Sequence, residues 1–215
     1  MTIETNTEPL GATKPTYGGI AAILGAALAI VGNALIVLAA PAAAPDTVSY
    51  PLSVTQFRWA QLFFAATQAL MAYGILELVR SGAVRRRRST VTFSFLAVIG
   101  FALTVPGELV LIPVASSASD STAAAAASTV FGVGLLIADL GLIGYGLTAL
   151  RDHHWPRPWA ALPATLGAFQ LLVVTPVALS TGFASTPTFA TITLANLLIA
   201  ALGVRLVRTS QLIGQ

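Results

Sequence analysis

Residues 18–40 read GGIAAILGAALAIVGNALIVLAA, twenty-three positions without one charged side chain. An α-helix rises about 1.5 Å per residue, so about 20 apolar residues cross a hydrocarbon core of about 30 Å. The stretch is long enough to cross a bilayer as one helix and far too long for a β-strand. Five more apolar stretches follow, at about 58–79, 91–115, 124–150, 158–180 and 188–207. None alternates apolar and polar positions as the strands of an outer-membrane barrel do. The sequence thus predicts an all-α, polytopic transmembrane bundle of six helices over residues 18–208. A polar tail over 1–17, read as disordered, precedes it, and a short tail over 209–215 follows.

Composition points the same way. Of 215 residues, 56% are hydrophobic and 9% charged, where a soluble domain carries about a quarter charged residues. So little polar surface cannot solvate a globule, which makes lipid the solvent for its exterior. The chain has no cysteine, which excludes a disulfide framework, a thiolate metal site and a cysteine nucleophile. Abundant Ala, Leu, Val and Arg beside a single lysine suit a GC-rich bacterial genome. The net charge of +3 is not a nucleic-acid footprint, because the basic residues sit in short links between apolar runs.

Those links orient the bundle. Six crossings put both chain ends and the second and fourth links on one side. That side holds Lys14, Arg80, Arg85, Arg86, Arg87, Arg88, Arg151, Arg157, Arg205 and Arg208, ten of the eleven basic residues; Arg58 alone lies opposite. The excess of basic residues in cytoplasmic loops places both termini in the cytoplasm of a bacterial plasma membrane. Arg85, Arg86, Arg87 and Arg88 read as contacts to anionic lipid headgroups, and Trp155 and Trp159 as anchors at the same interface. The segment 38-LAAPAAA-44 resembles a signal-peptidase site, but the apolar run before it exceeds the 7–15 residues of a signal peptide. The first helix is therefore expected to be retained.

Polar side chains within the apolar runs are the candidate functional groups. A carboxylate at the bilayer centre costs about 2.5–3.5 kcal/mol on insertion scales, so it must be protonated, paired or placed in a wet cavity. Asp139 falls near the middle of the fourth helix and Glu108 in the outer half of the third, after Pro106 and Gly107. Gly132 and Gly146 lie seven residues before and after Asp139, so a small-residue stripe lets a neighbouring backbone approach. Arg58 is the candidate partner of Glu108, with Gln61 and Gln68 on the same face of the second helix. Asn33, Gln68, Gln170 and Asn196 place an amide near mid-depth in four other helices. With the two carboxyls, every helix contributes a polar group. The bland account is that the amides are interhelical hydrogen bonds that fix packing, each worth about 0.6 kcal/mol.

Other features read as structural. Glu77 and Arg80 suit an interfacial ion pair. His153 and His154 beside Asp152 lack a further histidine to complete a metal site. No H-E-x-x-H, phosphate-loop or G-x-S-x-G motif occurs, and the lone lysine, Lys14, lies in the tail, which excludes a retinal Schiff base. No cofactor is implied.

The glycine-rich opening helix over 18–35, and the link over 151–159 with its Trp, Pro and Arg content, resemble those of small multi-spanning bacterial integral membrane proteins as a broad class. The resemblance implies a membrane location; it carries no activity and no functional residue. Three readings follow. The first is a membrane protein that binds or translocates a small solute, ion or lipid-like molecule through an interior polar pocket around Asp139 and Glu108. The second is an embedded enzyme using a buried carboxyl as general acid on an apolar, isoprenoid-like substrate. The third is a non-catalytic assembly subunit with exposed Gly/Ala faces. A homo-oligomer would use Gly18, Gly25 and Gly32 of the first helix.

Overall fold

The computed structural model describes residues 17–81, 84, 87–152 and 155–213, with side chains described up to residue 208. It is all-helical: α1 (Tyr17–Leu38), α2 (Val54–Arg80), α3 (Arg88–Leu109), α4 (Thr122–Asp152), α5 (Arg157–Phe169), α6 (Thr175–Thr181) and α7 (Thr186–Ile213). A π-helical turn, Gln170–Val174, joins α5 to α6 into one rod. The chain therefore makes six helical spans, each long and apolar enough to cross a membrane.

Each span packs against the next in sequence, and α7 returns to α1, so the six close into a ring. Glycine decides how close the walls come. A Cβ on Gly100 would overlap the backbone of Ala138, and one on Gly141 would overlap that of Ala97, so α3 and α4 touch backbone to backbone. Gly19 and Gly203 do the same for α1 and α7. Gly18, Gly25 and Gly32, expected to serve an oligomer, instead pack on α2 against Glu77, Met71 and Phe63. A small-residue stripe meets its nearest hairpin neighbour first, so this face is covered within the chain.

Outside, the large side chains point away from the bundle: Leu24, Leu28, Val31 and Leu35 of α1, and Leu136, Leu140 and Leu147 of α4, are exposed. Small residues at the helix contacts, with many Leu and Val side chains left facing outward, suit a lipid exterior. Toward the arginine-bearing ends the interior is filled by Tyr145, Leu78, Leu142, Leu166, Leu202 and Leu206, all nearly inaccessible. The Tyr145 hydroxyl donates to the Leu78 carbonyl at 3.1 Å, tying α4 to the end of α2. Toward the opposite, loop-bearing ends the buried polar residues Gln61, Thr104, Glu108, Thr188 and Ser49 lie in a set that also includes Phe57, Phe64 and Ala124.

Three helix ends depart from the sequence reading, the last helix running to Ile213 rather than ending near 207. α2 begins at Val54 rather than near 58, because Ser53 and Gln56 form a capping box that satisfies the first turn. α3 ends at Leu109 rather than 115. Pro113 disfavours helix in the residue before it, and the chain leaves in tight turns, with the Leu111 and Ile112 amides donating to the Glu108 and Leu109 carbonyls. The freed segment pairs with the loop between α1 and α2. The Val48 amide donates to the Ser117 carbonyl, Ser49 to Ala115 and Ser119 to Asp46, at 3.0, 3.1 and 2.7 Å. These two loops cover the polar end of the ring.

Candidate functional site

Asp139 is fully buried in the bundle, as are Thr104 and Thr188. It is 0% exposed, and neither carboxylate oxygen has a hydrogen-bond partner. Its position follows from the helix on both sides. The preceding Ala138 lies against Gly100 of α3, while Gly167 of α5 brings its own backbone to the Asp139 carbonyl, where an added Cβ would sit at 2.5 Å. Of the two stripe glycines, Gly146 admits Ala164 of α5, as the spacing suggested. Gly132 faces open space.

Gln170 follows Gly167 by three residues and begins the π turn, which packs against α4 and α7. It is buried, and its Oε1 has no partner. Antiparallel packing of α4 on α5 sets Gly146 against Ala164 and Asp139 against Gly167, so Gln170 lies within about one helical turn of Asp139 in depth. The π turn itself has a local cause. Pro176 cannot donate an amide and crowds the carbonyl four residues back; the wider turn accommodates it, with the Thr175 amide reaching the Gln170 carbonyl.

Nearer the loop end, Glu108 is 8% exposed in the last turn of α3, which packs on α2. α2 and α3 are thus neighbours, as expected. Arg58, the expected partner of Glu108, is exposed, and among the described residues neither Glu108 nor Asp139 forms an ion pair. Starting α2 at Val54 sets Arg58 in its second turn, on the exterior. Gln61 is buried on the Gln68 stripe, and its Oε1 is unpartnered.

The other two amides do not join these groups. Asn33 donates to Ala29 at 2.8 Å and Asn196 to Ile192 at 3.1 Å, each a carbonyl four residues back on its own helix. A short amide side chain folds back in this way when its own backbone is the nearest acceptor.

At the arginine-bearing end, Arg80 pairs with Glu77 at 3.2 Å. Arg87, expected at lipid headgroups, reaches the buried Asp152 carboxylate at 3.6 Å while most of its side chain stays exposed. Arg88 is exposed. Arg85, Arg86, His153 and His154 lie outside the described residues. The Arg205 guanidinium lies 5.3 Å from the Trp155 ring centroid and 5.9 Å from that of Trp159. Trp155 is therefore buried in a cation–π contact rather than free at an interface. Among the described residues no three His, Cys, Asp or Glu side chains are grouped to hold a metal ion.

The chain matches no protein-family model, no curated protein and no solved structure. The fold defines a broad class, an all-helical protein with six spans suited to a membrane, and the geometry of its interior polar groups must carry any functional reading.

Proposed function

We propose that this protein sits in a bacterial plasma membrane with both termini in the cytoplasm, and that it binds or translocates a small solute or ion at Asp139. The observation carrying the reading is the bare Asp139 carboxyl, enclosed at mid-span with both oxygens unpartnered. A carboxyl kept only for packing would be expected to carry a donor from a neighbouring helix, because an unpaired one in hydrocarbon destabilises the bundle. Gln170 adds a second bare acceptor at similar depth, on a π turn, a distortion often found at functional sites. Three acceptor oxygens without a donor favour a ligand that brings hydrogen-bond donors or positive charge.

Native mass spectrometry of the protein released from lipid nanodiscs tests the reading. A small adduct present on the wild type and absent from Asp139→Asn is expected. Equal adducts on both proteins, or none on either, would remove Asp139 as the anchor.

A further inference from the structure

The buried face of α4 runs from Asp139 through Leu142 and Tyr145 to Ala149, at spacings of three, three and four residues. Tyr145 thus stands about 9 Å from Asp139, toward the arginine-bearing end. Its side chain reaches across to α2, where the hydroxyl donates to the Leu78 carbonyl at 3.1 Å. α3 lies between α2 and α4 in the ring, and among the described residues those two helices do not pack on each other. One side chain therefore bridges the interior from wall to wall. Two links turn apolar side chains inward at the same end: Val84 between α2 and α3, and Trp155 between α4 and α5, each buried in the core.

The acceptor is shared. Leu78 lies in the last turn of α2, where carbonyls lose their partners in the helix ladder. Its oxygen also accepts from Ser81, the C-cap, through the hydroxyl at 2.6 Å and the amide at 3.3 Å. A carbonyl oxygen offers two lone pairs, and here three donors converge on it. Of the two hydroxyls, Ser81 is the closer and Tyr145 the more loosely held. Breaking a buried hydrogen bond is costly chiefly because it leaves a polar atom unsatisfied. Withdrawing Tyr145 leaves the Leu78 carbonyl satisfied by Ser81, and only the phenol needs a new partner. Water admitted at that end supplies one.

We infer that the Tyr145 hydroxyl is a releasable strap that closes the arginine-bearing end of the bundle, and that its withdrawal from Leu78 opens that end to water as far as Leu142. Leu142, about one turn deeper, and Ala149, one turn nearer the end, are enclosed while the strap is made. Tyr145 is a positioning residue: it holds α2 and α4 at a fixed separation. That the opened end serves a ligand at Asp139 rests on the function proposed above; the strap itself does not.

Thiol accessibility, in a chain without cysteine of its own, tests this. Leu142→Cys places a thiol behind the strap, and Thr104→Cys places one at a fully buried site toward the loop-bearing end. Each full-length variant is reacted with the small cation methanethiosulfonate ethylammonium in lipid nanodiscs, where both faces meet the reagent. Adding Tyr145→Phe, which keeps the ring and removes the hydroxyl, is expected to speed labelling at 142 at least tenfold and to leave labelling at 104 unchanged. Adding Ser81→Ala, which disturbs the end of α2 but keeps the strap, is expected not to speed labelling at 142. An unchanged rate at 142 with Tyr145→Phe would overturn the proposal. Equal acceleration at 142 and 104 would also overturn it, by marking a general loosening, as would equal acceleration by Ser81→Ala and Tyr145→Phe, by marking a frayed helix end. Should Leu142→Cys not fold, Ala149→Cys takes its place with the same outcomes. No ligand enters the measurement, so equal adducts on the wild type and Asp139→Asn would remove the reading of Asp139 and leave this result standing.

Discussion

Asp139 sets a residue-scale conflict between stability and role. A fully buried carboxyl without a partner is an expensive group in hydrocarbon, by about 2.5–3.5 kcal/mol at a helix centre on insertion scales. Its isosteric replacement by Asn keeps the volume beside Gly167 and removes the acid. If ligand binding is the reason for the residue, Asp139→Asn should stabilise the ligand-free protein by roughly 1–3 kcal/mol while removing the small adduct. A lower unfolding midpoint for the variant would instead reveal a structural partner for the carboxyl. That Asp139 and Glu108 deserve notice was legible in sequence, because each interrupts an apolar run. Their surroundings were not. Arg58 is on the face that spacing assigned to Glu108, yet it is exposed, whereas Gln61 of the same stripe is buried. Spacing fixes a stripe on one helix; it does not say which member of that stripe meets the facing helix. Asn33 and Asn196 show the same gap, since an amide at mid-depth reads alike whether it crosses to another helix or folds back on its own.

At the scale of elements, length and hydropathy located all six spans, but local chemistry set their ends. The Ser53–Gln56 pair was a readable start signal that the hydropathy reading passed over. Ser53→Ala should cost about 1 kcal/mol by removing the cap, measurable as a lower unfolding midpoint; no change would mean that the first turn of α2 is held by tertiary contacts alone. Pro176 likewise announced a distortion in the fifth span, although a proline alone does not say whether a helix kinks or widens. The glycines divide in a way that spacing cannot reveal. Gly100 meets the backbone of Ala138, whereas Gly132, equally conspicuous in sequence, faces open space. Gly100→Val should force α3 from α4 and destabilise by about 1–3 kcal/mol, while Gly132→Ala should stay within about 0.5 kcal/mol of the wild type. Equal effects of the two substitutions would contradict the packing of these helices.

The whole molecule is a ring of six helices with glycines at the seams and two paired loops at one end. The ring order and the covering loops were not readable from composition. Both depend on contacts between distant segments, such as Gly19 with Gly203 and Ser119 with Asp46. What was readable is how the arginines divide among the links, from which an expected side for each link follows.

The chain's lack of cysteine makes that topology directly testable. Ser119 in the outer loop pair and Ser89 at the start of α3 are both exposed, at opposite ends of the ring. Single Ser119→Cys and Ser89→Cys variants, treated in intact bacterial cells with a membrane-impermeant maleimide, should label at position 119 and remain unlabelled at 89 until the cells are permeabilised. Labelling of both positions in intact cells, or the reverse pattern, would contradict a bundle that spans the membrane with its arginine-bearing ends inside.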